Sequence, residues 1–160
     1  MKLRTSDPTY LKEVDQWYSI LLPKLVPMLY KNGGPIITVQ VENEYGSYDC
    51  DFAYNAHLRD LFKEHLGDDV VLFTTDGNGD HYLKCGKIDN VFATVDFGSD
   101  SDPITSFQIQ HRHQEFGPNV NSEYYPGWLD TWEHPHQTRS IDAIVKNLDK
   151  MLAMNWSVSM

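Results

Sequence analysis

Apolar positions along the chain follow two rhythms that alternate. Leu11, Val14, Tyr18, Leu21, Leu22 and Leu25 recur at helical spacing, and Ser6-Asp7-Pro8 before them supplies a capping side chain and a proline placed for the first turn. Pro23 and Pro27 are expected to kink or end that helix, and Lys31-Asn-Gly-Gly-Pro35 is a clear stop. Ile36–Val41 then runs as a continuous apolar stretch, the pattern of a strand covered on both faces. A second helix is expected over residues 51–66, with Phe52, Leu58, Leu61, Phe62 and Leu66 toward the core and Gly67 as terminator. Strands follow at Val70–Thr75 and Val91–Val95, then a helix over 104–115 and a strand at Val120–Glu123. A last helix from about Ser140 to Met154 carries Ile141, Ile144, Val145, Leu148 and Leu152, and Asn155–Met160 reads as the opening of another strand. Strands alternating with helices predict βα units on a parallel sheet, an α/β fold. No repeat and no low-complexity linker divides the 160 residues, which suffice for one domain with a core.

The polar residues that close these strands change the picture. The four expected strands finish at Glu44, Asp76, Asp96 and Glu123. In α/β sheets ligands sit at the carboxyl ends of the strands. A carboxylate there is costly unless the site uses it. Asp76-Gly77 and Asp96-Phe97-Gly98 are also turn sequences, so these two aspartates read as turn or supporting residues. Glu44 and Glu123 differ: each closes a short strand, and each is followed by Tyr and, soon after, Gly. Two carboxylates on separate strands are the minimal equipment for glycoside hydrolysis, one protonating the leaving oxygen and the other stabilising the anomeric carbon.

Composition mainly excludes. Hydrophobic content of 41% rules out a disordered chain, and a formal charge of −10 offers no basic stripe for nucleic acid. There is no apolar run able to span a membrane, and Met1-Lys-Leu-Arg-Thr5 has no signal-peptide character; both ends read as cut. Cys50 and Cys85 show no CxxC spacing, and the residues alone leave two thiols and one bridge equally open. A bridge would imply an oxidising compartment. His111-Arg-His113 and His134-Pro-His136 suggest metal binding by spacing alone, but no carboxylate or Cys ligand is expected to converge on them in their loops.

Gly33-Gly-Pro-Ile-Ile-Thr-Val-Gln-Val-Glu-Asn-Glu-Tyr-Gly-Ser-Tyr48 closely resembles the acid/base segment of glycoside hydrolase family 35, the β-galactosidases. Asn119-Val-Asn-Ser-Glu-Tyr-Tyr-Pro-Gly-Trp-Leu-Asp130 is similar to the same family's nucleophile segment, in the right order and at the right distance. Gly67–Gly77 and Thr94–Gly98 fit between them, so the resemblance spans essentially all of residues 1–160 and is nearest to the animal lysosomal-type enzymes. It implies part of a (β/α)8 TIM barrel, approximately strands four to seven and the start of strand eight, truncated at both ends. By the same resemblance Glu44 is the acid/base and Glu123 the nucleophile. Asn43 matches the residue that hydrogen-bonds the sugar 2-hydroxyl. Tyr125 matches the tyrosine that positions the nucleophile, and Trp128 sits near the pocket mouth. Cys50 and Cys85 fall on the family's disulfide. Glu133 stands where family members tend to carry a small residue such as Gly.

The resemblance further implies hydrolysis of terminal β-galactosides with retention, no metal and no organic cofactor. It implies a lysosomal, extracellular or vacuolar location reached through the secretory pathway. Half a barrel would be expected to be inactive alone, its activity belonging to a longer parent. The contrasting expectation is a truncated, non-catalytic paralogue that binds galactosides or a partner protein, against which the retention of both glutamates with Asn43 and Tyr125 speaks. A third is another retaining specificity on the same scaffold.

Overall fold

The computed structural model describes residues 1–157. Helix α1 (Pro8–Leu25) starts where Asp7 accepts a 2.8 Å hydrogen bond from the Thr9 amide. Pro23 lies inside α1 without ending it; the helix runs two residues further and passes into a 3₁₀ turn, Val26–Met28, that contains Pro27. A proline so near the carboxyl end removes one helical bond, and burial of Leu22 on the core side holds the last turn in place.

Four strands follow: β1 (Thr38–Asn43), β2 (Val71–Gly77), β3 (Phe92–Asp96) and β4 (Asn121–Glu123). All pair in parallel, in the order β1-β2-β3-β4. Each is followed by a helix: α2 (Phe52–Leu66), α3 (Asp80–Gly86), α4 (Pro103–His113) and α5 (Ile141–Ala153). The result is a curled half-barrel sheet clad with helices, a partial (β/α) barrel.

The core lies between sheet and helices. Val41 and Leu72 pack with Leu58 and Phe62 of α2, while Ala93 and Val95 pack with Leu83, Phe107 and Met151. On the opposite face Phe73, Phe92 and Val120 line a hollow of about 220 Å³. The strand boundaries differ from expectation in a consistent way. β1 begins two residues later than its apolar run, and only Val41 in it is buried. It is an edge strand, and a bulge at Val41, between the Gln40–Phe73 and Glu42–Thr74 pairs, turns that side chain to the helices.

Three further expectations need correction. Phe52 is 57% exposed because it opens α2 beyond the edge of the sheet. In α5 the buried positions are Met151 and Asn147, whose side-chain amide donates to the Ser99 and Ser101 carbonyls, whereas Ile141, Val145 and Leu152 are exposed. Helix α3 has no counterpart in the sequence expectations. Of the strand expected from Asn155, Ser157 donates to the Asn119 carbonyl at 3.1 Å, and Val158–Met160 lie outside the described residues.

Cys50 and Cys85 form a disulfide that ties the segment after β1 to α3. It closes a loop of sequence separation 35, which on the chain-entropy account stabilises by roughly 3–4 kcal/mol. Replacing both cysteines with serine is expected to lower the urea unfolding free energy by about that amount. An unchanged midpoint would mean that the unfolded chain gains little freedom when the bridge is lost.

Candidate active site

The carboxyl end of β1 is held by ions that the sequence reading did not single out. Glu42 accepts a bidentate pair from Nε and Nη2 of the Arg4 guanidinium, at 3.0 and 2.7 Å, and a bond from the Tyr54 hydroxyl at 2.8 Å. Arg4 also donates to the Asn43 carbonyl at 2.7 Å and lies over the Tyr48 ring at 4.6 Å. Nothing in the spacing of Arg4 and Glu42 announces this pair, because 38 residues separate them. Asn43 itself is exposed, its side-chain carbonyl accepting from the Gln40 amide at 2.9 Å.

Glu44 leaves the strand in a left-handed conformation, φ 50° and ψ 36°, and opens the 3₁₀ turn Tyr45–Ser47. Two bonds from β2 fasten this turn. The Glu44 amide donates to the Thr75 carbonyl at 2.8 Å, and the Gly46 amide donates to Asp76 Oδ1 at 2.9 Å.

Across the sheet, Glu123 ends β4 opposite Asp96 at the end of β3. Asp96 is 3% exposed and accepts a 3.0 Å bond from the Tyr125 hydroxyl. The Tyr125 ring in turn meets Trp128 edge-on at 5.5 Å, and Trp128 is largely open to solvent. Below this layer the hydroxyls of Thr75 and Thr94 each bond the Ser122 hydroxyl in the buried middle of the sheet.

Glu44 and Glu123 belong to the two outer strands. In a flat sheet three strand spacings would part those strands by about 14 Å. Glu123 is held above its ordinary pKa first by burial and then by the charge of Glu44. Asp96 lies between them and is pushed up to about 7, by burial foremost, next by Glu44, with the Tyr125 hydrogen bond opposing. Tyr125 is raised for reciprocal reasons, burial first and Asp96 second. Of the sequence-predicted residues, Glu44 and Glu123 stand at the carboxyl ends of the two outer strands, Tyr125 bonds Asp96 opposite Glu123, and Asn43 and Trp128 are exposed. Of the two roles expected for Asp76 and Asp96, turn or support, the structure shows support: both are buried in strands and hold Gly46 and Tyr125.

Three of the four histidines in the His-x-His pairs are occupied elsewhere. His111 and His113 belong to α4 rather than to a loop; His111 bonds the Gln114 carbonyl and Asn119, and His113 bonds Asp80. His136 bonds Asp130. Among the described residues no three His, Cys, Asp or Glu side chains are placed to hold a metal ion, and no helix is long and apolar enough to cross a membrane. Glu133 has φ 67°, a left-handed conformation that glycine adopts freely.

The buried aspartates set a pH dependence. Asp76 is also raised to about 7, by burial first, opposed by the Gly46 bond and reinforced by Asp96. An aspartate whose folded pKa exceeds its unfolded one takes up a proton on folding, so its contribution is full below the unfolded value and is lost as pH rises through about 7. The lowered surface aspartates, Asp80 at about 2 among them, lose theirs only below about pH 4. The melting temperature is therefore expected to rise by at least about 5 °C between about pH 7.5 and about pH 5. Asp76→Asn combined with Asp96→Asn should flatten that rise; a profile that stays steep in the double variant would contradict the assignment.

Residues 1–160 match the model of glycosyl hydrolases family 35. The chain belongs to glycosyl hydrolase family 35. It is 54% identical over 159 residues to the β-galactosidase of Macaca fascicularis, covering 99% of this chain and 23% of the relative. It is 53% identical to the human β-galactosidase and 52% identical to the β-galactosidase-1-like protein of Mus musculus, in each case over 99% of this chain and 24% of the relative. This family 35 chain thus spans about a quarter of the length of the curated relatives it matches.

Proposed function

We propose that these residues form part of the active site of a retaining β-galactosidase, with Glu44 as acid/base and Glu123 as nucleophile. The observation that carries the reading is the placement of the two glutamates at the carboxyl ends of the first and last strands of one parallel sheet, in a family of glycosyl hydrolases. Glu123 attacks the anomeric carbon of a terminal β-galactoside as Glu44 gives its proton to the departing glycosidic oxygen. Glu44 then takes a proton from the water that cleaves the galactosyl ester, returning Glu123 as carboxylate. Retention requires the carboxyl groups about 5–5.5 Å apart, so that no water fits between nucleophile and sugar. Burial and the neighbouring charge of Glu44 hold Glu123 above its ordinary pKa, and the attack requires it as the carboxylate with the proton on the acid/base.

Asn43 is assigned to the sugar 2-hydroxyl, Tyr125 to the nucleophile and the sugar, and Trp128 to the mouth. In this reading β1 to β4 are strands four to seven of the full barrel, and the activity belongs to a longer polypeptide that also covers the exposed edges of the sheet. The disulfide supports a lysosomal or other secretory-pathway location. The test is covalent trapping of the longest native polypeptide carrying this segment with a 2-fluoro-galactoside. A label on the peptide containing Glu123 is expected. Labelling elsewhere, or a preference for the gluco analogue, would overturn the assignment.

A further inference from the structure

We propose that Asp76 is a positioning residue for Glu44, clamping the turn that presents the acid/base from the helix side of the sheet. The inference rests on the acid/base role assigned to Glu44 above.

Asp76 has no exposed surface, and its Oδ1 accepts the Gly46 amide at 2.9 Å, two residues beyond Glu44. Glu44 occupies a left-handed conformation that an L side chain rarely adopts, so the turn persists only if its surroundings hold it. Thr75 and Asp76 are consecutive in β2, and they grip that turn at its start and its middle, through the Glu44 and Gly46 amides.

The fit around the contact leaves no slack. A side chain at Gly86 would place its Cβ 1.8 Å from Asp76 Oδ1, and one at Gly46 would place it 1.8 Å from the Tyr82 carbonyl oxygen. Helix α3 therefore presses directly onto the Asp76 carboxyl group at Gly86 and onto the Glu44 turn at Gly46. The Cys50–Cys85 bridge, beside Gly86, ties the two together.

Among the described residues Asp76 Oδ2 has no hydrogen-bond partner. A buried carboxyl with one bond and no cation beside it is a costly way to fill space. The cost is accounted for if what matters is the single acceptor it offers to Gly46. Either protonation state keeps that acceptor, which makes Asn a sound substitute and Ala a poor one.

The test compares kcat/KM for two β-galactosides in the longest native polypeptide. A 2,4-dinitrophenyl leaving group departs without a proton, whereas the alkoxide of a methyl galactoside needs one from Glu44. Asp76→Ala is expected to lower kcat/KM for the methyl galactoside on the order of 10²-fold more than for the dinitrophenyl substrate. Labelling of Glu123 by the 2-fluoro-galactoside should persist. Asp76→Asn should keep the ratio of the two substrates within about 3-fold of the parent. If Asp76→Ala does not accumulate as folded protein, Asp76→Val, which keeps more of the volume and lacks the acceptor, is read in the same way.

Equal losses on both substrates, no loss on either, or an Asn variant as impaired as the Ala variant would each overturn the proposal. A parent protein that hydrolyses neither substrate and takes no label would instead overturn the galactosidase assignment itself, before any variant is made.

Discussion

Glu123→Gln is expected to lower galactoside turnover by at least about 10⁴-fold, the scale of loss when a covalent nucleophile is removed. The substitution keeps the size of the side chain and removes its charge. Glu123 is half-buried and held above its ordinary pKa by that burial and by Glu44, so neutralising it relieves a cost. The melting temperature should therefore be unchanged or slightly higher while activity disappears. This opposite response is informative, because a residue conserving the fold would lose both together. Steady-state turnover, thermal unfolding and mass analysis after 2-fluoro-galactoside treatment check it. Retention of more than about 1% activity with labelling still on the same peptide would sink the nucleophile assignment.

How much of this could be read from the sequence depends on whether a feature is local. The periodic segments that became α1, α2, α4 and α5 are amphipathic or capped, and Asp7, Asp51, Asp102 and Ser140 each cap the helix expected to start beside them. The strands were legible as apolar runs ending in acids, and Glu44 and Glu123 stood out for that reason. What escaped depends on partners far along the chain. Helix α3 has seven residues and a single fully buried large apolar side chain, Leu83, too little for a periodic signal. The exposed face of α5 is as apolar as a buried one, so periodicity marks Ile141, Val145 and Leu152 correctly as a stripe and says nothing of what faces it.

The same limit applies within the site. Asp76-Gly77 and Asp96-Phe97-Gly98 read locally as turn or supporting residues, and only the folded sheet shows which groups they support, Gly46 for Asp76 and Tyr125 for Asp96. Pairing of Arg4 with Glu42 likewise depends on the amino-terminal segment folding back over the end of β1. Cysteine pairing was open from the residues and was suggested only by family resemblance; the structure joins Cys50 to Cys85.

Replacing Glu44 is expected to give a different signature from replacing Glu123. Glu44→Ala should lower kcat/KM for a methyl or sugar aglycone by about 10²–10⁴-fold, the usual worth of a positioned general acid. For a dinitrophenyl galactoside, whose leaving group needs no proton, the loss in kcat/KM should be small. Turnover of that activated substrate would then stall at the second step, because no base remains to deprotonate the attacking water. Azide, which needs no deprotonation, is expected to restore turnover and to yield β-galactosyl azide, the β configuration recording attack on the face that Glu123 has left open. The pH profile supplies an independent check. A general acid must be protonated to act, so activity of the parent falls as pH rises through the pKa of the acid, and Glu44→Ala should lose that basic limb for the activated substrate. If the dinitrophenyl and methyl substrates lose equally and azide restores nothing, Glu44 is holding structure rather than transferring a proton. The turn it opens, fixed by Thr75 and Asp76, would then be the feature the reaction depends on.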